Sequence, residues 1–123
     1  MRSVMAYDPQ NIFAKILRGE IPCTKVFENE WVLAFHDIAP QAPVHVLVIP
    51  KGAYVSQDDF TAKATDAEIA GLWRAVGQIA RDLEVAEPGY RTVQNTGTNG
   101  GQEVPHFHVH ICGGRRLGRM IPE

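Results

Sequence analysis

Three of the chain's five histidines fall at alternate positions, His106, His108 and His110, with Phe107, Val109 and Ile111 filling the places between and after them. Alternation of polar and apolar residues over such a stretch is the period of a half-buried strand. Successive side chains of a strand point to opposite faces, so the apolar set goes to a core and the imidazoles share the other face. With a rise of about 3.3 Å per residue, the outer rings lie roughly 13 Å apart and His108 sits midway. A helix would bring His106 and His110 together but swing His108 away, and β-branched Val109 and Ile111 disfavour it. Packing alone gives little reason for such a row, because every covered ring needs polar partners. The segment reads as a strand with chemistry on one face.

The rest of the chain must build a fold around that strand. A length of 123 residues supports one domain with one core. Hydrophobic residues at 45% and charged residues at 21% are ordinary for a globular protein, so nothing points to disorder. The net charge of -2 gives no electrostatic reason to expect nucleic acid or an anionic membrane as a partner. Arg115, Arg116 and Arg119 are too few to change this. Cys23 and Cys112 are far apart and outside any CxxC motif, which excludes a disulfide scaffold. No apolar leader or membrane-length run occurs, so a cytoplasmic address is expected.

Residues 1–8 carry no periodic signal, and residues 1–10 are expected to form a flexible arm ahead of a single domain over 11–123. Asn11 is placed to cap a short helix over 12–17, ended by Gly19. Strands follow over 25–28 and 31–36, joined by a polar turn at Glu28, Asn29 and Glu30. A proline-rich connection over 37–43 leads to the most apolar strand, 44–49, interrupted only by His45. A lone histidine there is as readily a satisfied core residue as a functional one. Residues 53–64 read as irregular. Thr65 and Glu68 then form a capping box, and Ile69, Leu72, Trp73, Val76, Ile79, Ala80 and Leu83 give the helix behind it an apolar stripe. Gly71 and Gly77 inside that helix hint at close packing. A fourth strand over 90–94 precedes the histidine strand. Five strands and two helices without βαβ alternation predict an α+β domain with a mainly antiparallel sheet.

The loop over 95–102 carries Gly97, Gly100 and Gly101, which can bring backbone amides close to an anion. Such loops are often only turns; this one matters because it feeds directly into three histidines. Amides beside imidazoles suit phosphoryl chemistry, where charge on non-bridging oxygens needs stabilising. One imidazole can attack through an unprotonated nitrogen while its other N–H is held, and a neighbour can donate to the leaving group. The central ring is the better candidate for attack. A zinc site remains open on these grounds, since two histidines at i and i+2 with His45 or the third histidine would supply ligands.

The same residues resemble a known family. His106, His108 and His110 with apolar residues between them are similar to the histidine-triad (HIT) signature. Ile12, Phe13, Ala14, Lys15 and Ile16, then Glu20, Ile21 and Pro22, resemble its HINT branch, as do the stretches 33–38 and 41–45. Asn95, Gly100, Gly101 and Gln102 continue the likeness, which ends at Gly113, Gly114 and Arg115. The resemblance implies a HIT-like fold whose five-stranded sheet continues across a homodimer. It implies an AMP-like purine nucleotide as ligand and needs no cofactor, metal, nucleic acid or membrane. The activity it implies is hydrolysis of nucleoside phosphoramidates and aminoacyl-adenylates through a nucleotidyl-histidine. His108 would be the nucleophile, with His110, His106 and His45 as its polar network. Asp37 would bind the ribose, and Ile12, Phe13, Ile16, Phe35, Ile38 and Leu47 would line the base pocket. Asn95, Gly101 and Gln102 would face the phosphate and leaving group.

Two departures stand out. Glu103 occupies the place of a small hydroxyl residue in vertebrate relatives, beside the reacting centre. The tail over 116–122 lacks the tryptophan that those relatives place near the partner's site. Leaving-group preference is therefore not transferable. A pocket that binds a purine nucleotide without turnover is the alternative class.

Overall fold

The computed structural model describes residues 6–122; Met1 to Met5 of the expected arm lie outside the described residues. Asn11 caps the first helix, α1 (Ile12–Leu17), through its side chain to Ala14 N. Strands β1 (Lys25–Glu28) and β2 (Val32–His36) follow, and Asn29 Oδ1 accepts from the backbone N–H of Trp31 and Val32 to shape the turn between them. Strand β3 (Val44–Pro50) is the long central apolar strand.

Helix α2 (Gln57–Lys63) lies within the stretch read from sequence as irregular, and that reading is corrected. Ser56 is its N-cap, accepting from Asp59 N, and Asp58 and Asp59 sit in its first turn. Periodicity missed it because a two-turn helix with Phe60 as its single buried residue shows no stripe. Helix α3 (Asp66–Asp82) begins with the capping box of Thr65 and Glu68 as expected. After β4 (Tyr90–Val93) comes one turn of helix, α4 (Gly97–Gly100), inside the glycine-rich loop.

The last strand, β5, runs Val109–Gly113, so His106 and His108 lie just ahead of the ladder rather than within it. Their backbone is held differently: Phe107 N–H donates to Tyr54 O at 2.8 Å. The alternation survives. The sheet order is β1-β2-β3-β5-β4 with every neighbour antiparallel, the five-stranded α+β arrangement expected.

Period-2 patterning divides the apolar residues between two clusters. Val32, Ala34, Val46, Val48, Phe107, Val109 and Ile111 pack with Leu72, Val76 and Ile79 of α3 and with Phe60. Leu33, Phe35, Leu47 and Ile49 make the second cluster with Phe13 of α1. Each fully buried aliphatic or aromatic side chain contributes about 1.5–3 kcal/mol, so the α3 cluster supplies most of the hydrophobic stabilisation. Gly71 is required there: a Cβ would stand 2.4 Å from Trp31 Cγ. Gly77 shows no such constraint, since a Cβ would meet only the Arg81 side chain one turn on. Gly114 closes β5 at φ +91, where a Cβ would meet Pro43 at 2.8 Å. Among the described residues, no helix is long and apolar enough to cross a membrane.

Candidate active site

On β3 the residues alternating with Val46 and Val48 are His45, Leu47 and Ile49, and on β5 His110 alternates with Val109 and Ile111. Residues that alternate with the α3 cluster face away from α3. Register sets Leu47 opposite His110 and His45 opposite Cys112, which brings the histidines of two strands together. The His45 and His110 ring centroids are 5.1 Å apart, as are those of His108 and His110. Phe13 of α1 stands edge-on to His108 at 5.0 Å.

Hydrogen-bond partners fix the protons on these rings. The His106 carbonyl can only accept, so His108 Nδ1 carries the hydrogen and donates to it at 2.7 Å. His108 Nε2 is then left with its lone pair. His106 Nε2–H donates to Pro50 O at 2.9 Å, and its Nδ1 accepts from the Tyr7 hydroxyl at 2.6 Å. His45 Nδ1 accepts from Gln41 N–H at 3.0 Å, so its hydrogen lies on Nε2. That N–H donates to His110 Nδ1 at 2.9 Å, which leaves His110 with its hydrogen on Nε2. A backbone amide thus sets the direction of the whole His45–His110 chain.

Burial favours the uncharged form of His106, His108 and His110. It lowers His106 from the usual 6.5 to about 4, with the nearby His108 adding to the effect. His110 is also held at about 4, by burial first and then by His108 and His45. Burial lowers His108 as well. A folded chain that refuses protons its unfolded form accepts loses stability as pH falls. Between pH 6.5 and about 4, the unfolded state binds more protons at His106 and His110, so stability should drop through that window and level off below it. Thermal unfolding followed from pH 7 to pH 4 checks this; a flat Tm would mean that the rings are solvated.

The other residues singled out from sequence fall into three groups. Phe13, Phe35 and Leu47 are brought together in the second cluster, with Ile16 against it. Ile12 and Ile38 are outside that cluster and exposed, Ile38 at 97%. Asp37 lies close to the histidines: Oδ1 accepts from Ala39 N–H at 2.8 Å, and Oδ2 is 3.4 Å from His45 Nε2. Its carboxylate is therefore partly engaged already.

The third group is the loop. Gln102 is a strut: Oε1 accepts from Gly97 N–H, and Nε2 donates to Val55 O and Val104 O. Gly101, in the left-handed region at φ 79, donates its N–H to Thr98 O. The amides of Gly97, Gly101 and Gln102 are thus engaged within the loop. Asn95 is half-buried at its entrance, and Glu103 is exposed at its exit. Glu103 and Asp37 both act electrostatically on His108.

Sequence reading missed Tyr7, Pro50 O and the Gln41 amide. The last two are backbone groups with no side-chain signal, and Tyr7 lies where no periodicity exists. Asp37, His45 and His110 present ligand atoms within 4.8 Å of one another, a grouping of the kind that holds a metal. Nitrogens on one tetrahedral zinc, bonded at about 2.0–2.1 Å, stand roughly 3.3–3.4 Å apart. His45 and His110 are closer, at the spacing of a hydrogen bond.

Residues 18–117 match the HIT domain, and the chain belongs to the HIT family. It is 68% identical over 115 residues to an uncharacterized 13.2 kDa HIT-like protein of Azospirillum brasilense, covering 94% of each chain. It is 43% identical over 112 residues to the purine nucleoside phosphoramidase of Escherichia coli, covering 91% of this chain and 93% of that one. A histidine triad protein from Clostridium difficile superposes with a TM-score of 0.80 at 42% identity, covering 89% of this chain and 95% of that structure. These likenesses support the HINT-like branch.

Proposed function

We propose that this chain is a cytoplasmic purine nucleoside phosphoramidase, cleaving P–N or mixed-anhydride bonds to release a nucleoside monophosphate such as AMP. The observation that carries this reading is the His108 tautomer: its Nδ1–H is held by the His106 carbonyl, so Nε2 offers a lone pair. The likeness to the Escherichia coli enzyme supports the substrate class.

In the first step His108 Nε2 bonds to phosphorus as the bond to the leaving nitrogen breaks, and that nitrogen takes up a solvent proton. The nucleotidyl-imidazolium keeps its Nδ1–H, now a charge-assisted donor to the His106 carbonyl. In the second step water attacks phosphorus, the P–N bond to His108 breaks, and the proton released by water restores the balance. His110 is neutral at pH 7, so its Nε2–H acts as a hydrogen-bond donor to a phosphate oxygen rather than as an acid. Phe13, Ile16, Phe35 and Leu47, with exposed Ile12 and Ile38, offer an apolar bed for the base. Asp37 reads the ribose hydroxyls, and Asn95 faces the phosphate. Gly101 and Gln102 keep the loop in shape, and Glu103 borders the leaving group. Residues 11–123 act as one domain, to which Tyr7 of the preceding segment is joined through His106.

Incubation with adenosine phosphoramidate should release AMP, with turnover unchanged in EDTA. Binding without release would favour the non-catalytic reading. Loss in EDTA with recovery on adding zinc would favour the Asp37, His45 and His110 metal site. A homodimer is also proposed, since β4 is an outer strand of the sheet whose far edge pairs with no other strand among the described residues. Light scattering at micromolar concentration should give twice the chain mass; a monomer would remove the shared sheet.

A further inference from the structure

We propose that Tyr7 is a positioning residue for the nucleophile, acting through His106. This rests on the proposed reaction at His108 and adds a group to it that the triad does not contain. His106 is 0% exposed, with its ring edge-on to Tyr7 at 5.5 Å and to Phe13 at 6.4 Å. Its three polar contacts form one set. Pro50 O takes the Nε2 hydrogen at 2.9 Å, His108 Nδ1 donates to the backbone carbonyl at 2.7 Å, and the Tyr7 hydroxyl donates to Nδ1 at 2.6 Å.

Tyr7 supplies the only hydrogen bond found at His106 Nδ1 among the described residues. Without it a buried acceptor is left unpaired, and a ring turned to relieve this would lose its bond to Pro50. Either response moves the residue whose carbonyl holds the His108 proton. The carbonyl matters most after attack, when His108 becomes a cation and its Nδ1–H bond strengthens. Loss of the hydroxyl should therefore lower kcat and leave KM near its starting value, because the Tyr7 hydroxyl bonds to His106, which supports the nucleophile. The reach is long in sequence: Tyr7 and His106 are 99 residues apart. A segment without periodicity thereby completes the site.

The test compares full-length wild type, Tyr7→Phe and Tyr7→Ala. Tyr7→Phe keeps the ring and removes only the hydroxyl. Its kcat for adenosine phosphoramidate should fall about tenfold with KM within about twofold, the scale of one lost buried hydrogen bond. Nitrogen-15 NMR of histidine-labelled protein, recorded without substrate, should show the His106 Nδ1 signal move in Tyr7→Phe while the His45 signals stay in place. A merely structural role for the ring would leave that nitrogen unmoved. Wild-type kcat in Tyr7→Phe, or an unmoved Nδ1 signal, would overturn the proposal. A wild type that hydrolyses no phosphoramidate would instead overturn the reaction, and the nitrogen signal would still decide whether Tyr7 positions His106.

Discussion

His108→Ala is expected to lower kcat by roughly three orders of magnitude or more while nucleotide Kd changes little. In the proposed mechanism the substitution removes the atom that forms the bond to phosphorus, and the neighbouring rings are not set up to replace it. His106 has both ring nitrogens engaged, by Tyr7 and Pro50. His110 Nδ1 faces His45, and its remaining nitrogen carries the hydrogen. Of these rings, only His108 combines a fixed Nδ1–H with an Nε2 lone pair that takes no hydrogen bond among the described residues. His45→Ala and His106→Ala should cost less, since each supports a nucleophile that is still present. Imidazole added to His108→Gly should restore part of the rate by filling the vacated space. Rapid quench with labelled substrate should find the nucleotide on His108 in the wild type. A His108→Ala protein with near-normal turnover would end the covalent mechanism, and direct attack by water would replace it.

Much of this site was legible because strand period is a strong signal. Alternation at 106–111 put Phe107, Val109 and Ile111 in the core and the histidines on the opposite side, which is where they lie. The capping box at Thr65 and Glu68, the cap at Asn11 and the apolar run from Val44 were equally local. Other features depend on contacts that no local pattern encodes. Helix α2 is too short to show a stripe, although Ser56 and Asp59 carried its capping signal. The start of β5 at Val109 reflects where pairing with β3 ends, a matter of register rather than propensity. The glycines of the loop showed only that its amides could approach an anion, and the three hydrogen bonds by which Gln102 ties the loop together have no local signal. His45 was ambiguous as a lone polar residue in an apolar strand. Its role as the link between the Gln41 amide and His110 follows only from strand pairing.

Phe107→Ala should destabilise the fold by about 3–5 kcal/mol, the usual cost of emptying a large buried aromatic site. Phe107 is 2% exposed and lies against Phe60 of α2 with ring centroids 5.0 Å apart, so neither ring can readily fill the other's space. Domains of this size are stable by about 5–15 kcal/mol, so the loss is a large fraction of the total. Urea unfolding should show a lower midpoint with little change in m. Phe107→Leu, which keeps most of the volume, should lose much less. The same change should reach the chemistry. Phe107 sits between His106 and His108 on backbone that precedes the ladder, held by its N–H to Tyr54 O. Its ring anchors the α3 side of that segment while the imidazoles are positioned on the other. An emptied site lets the segment shift, and the His106 carbonyl shifts with it. Folded Phe107→Ala protein, assayed well below its Tm, should therefore show a reduced kcat in addition to its reduced stability. A loss of stability under about 1 kcal/mol would mean that Phe60 and its neighbours collapse into the space. Normal kcat in the folded variant would show that the ladder from Val109 onward holds the nucleophile without help from the core beneath it.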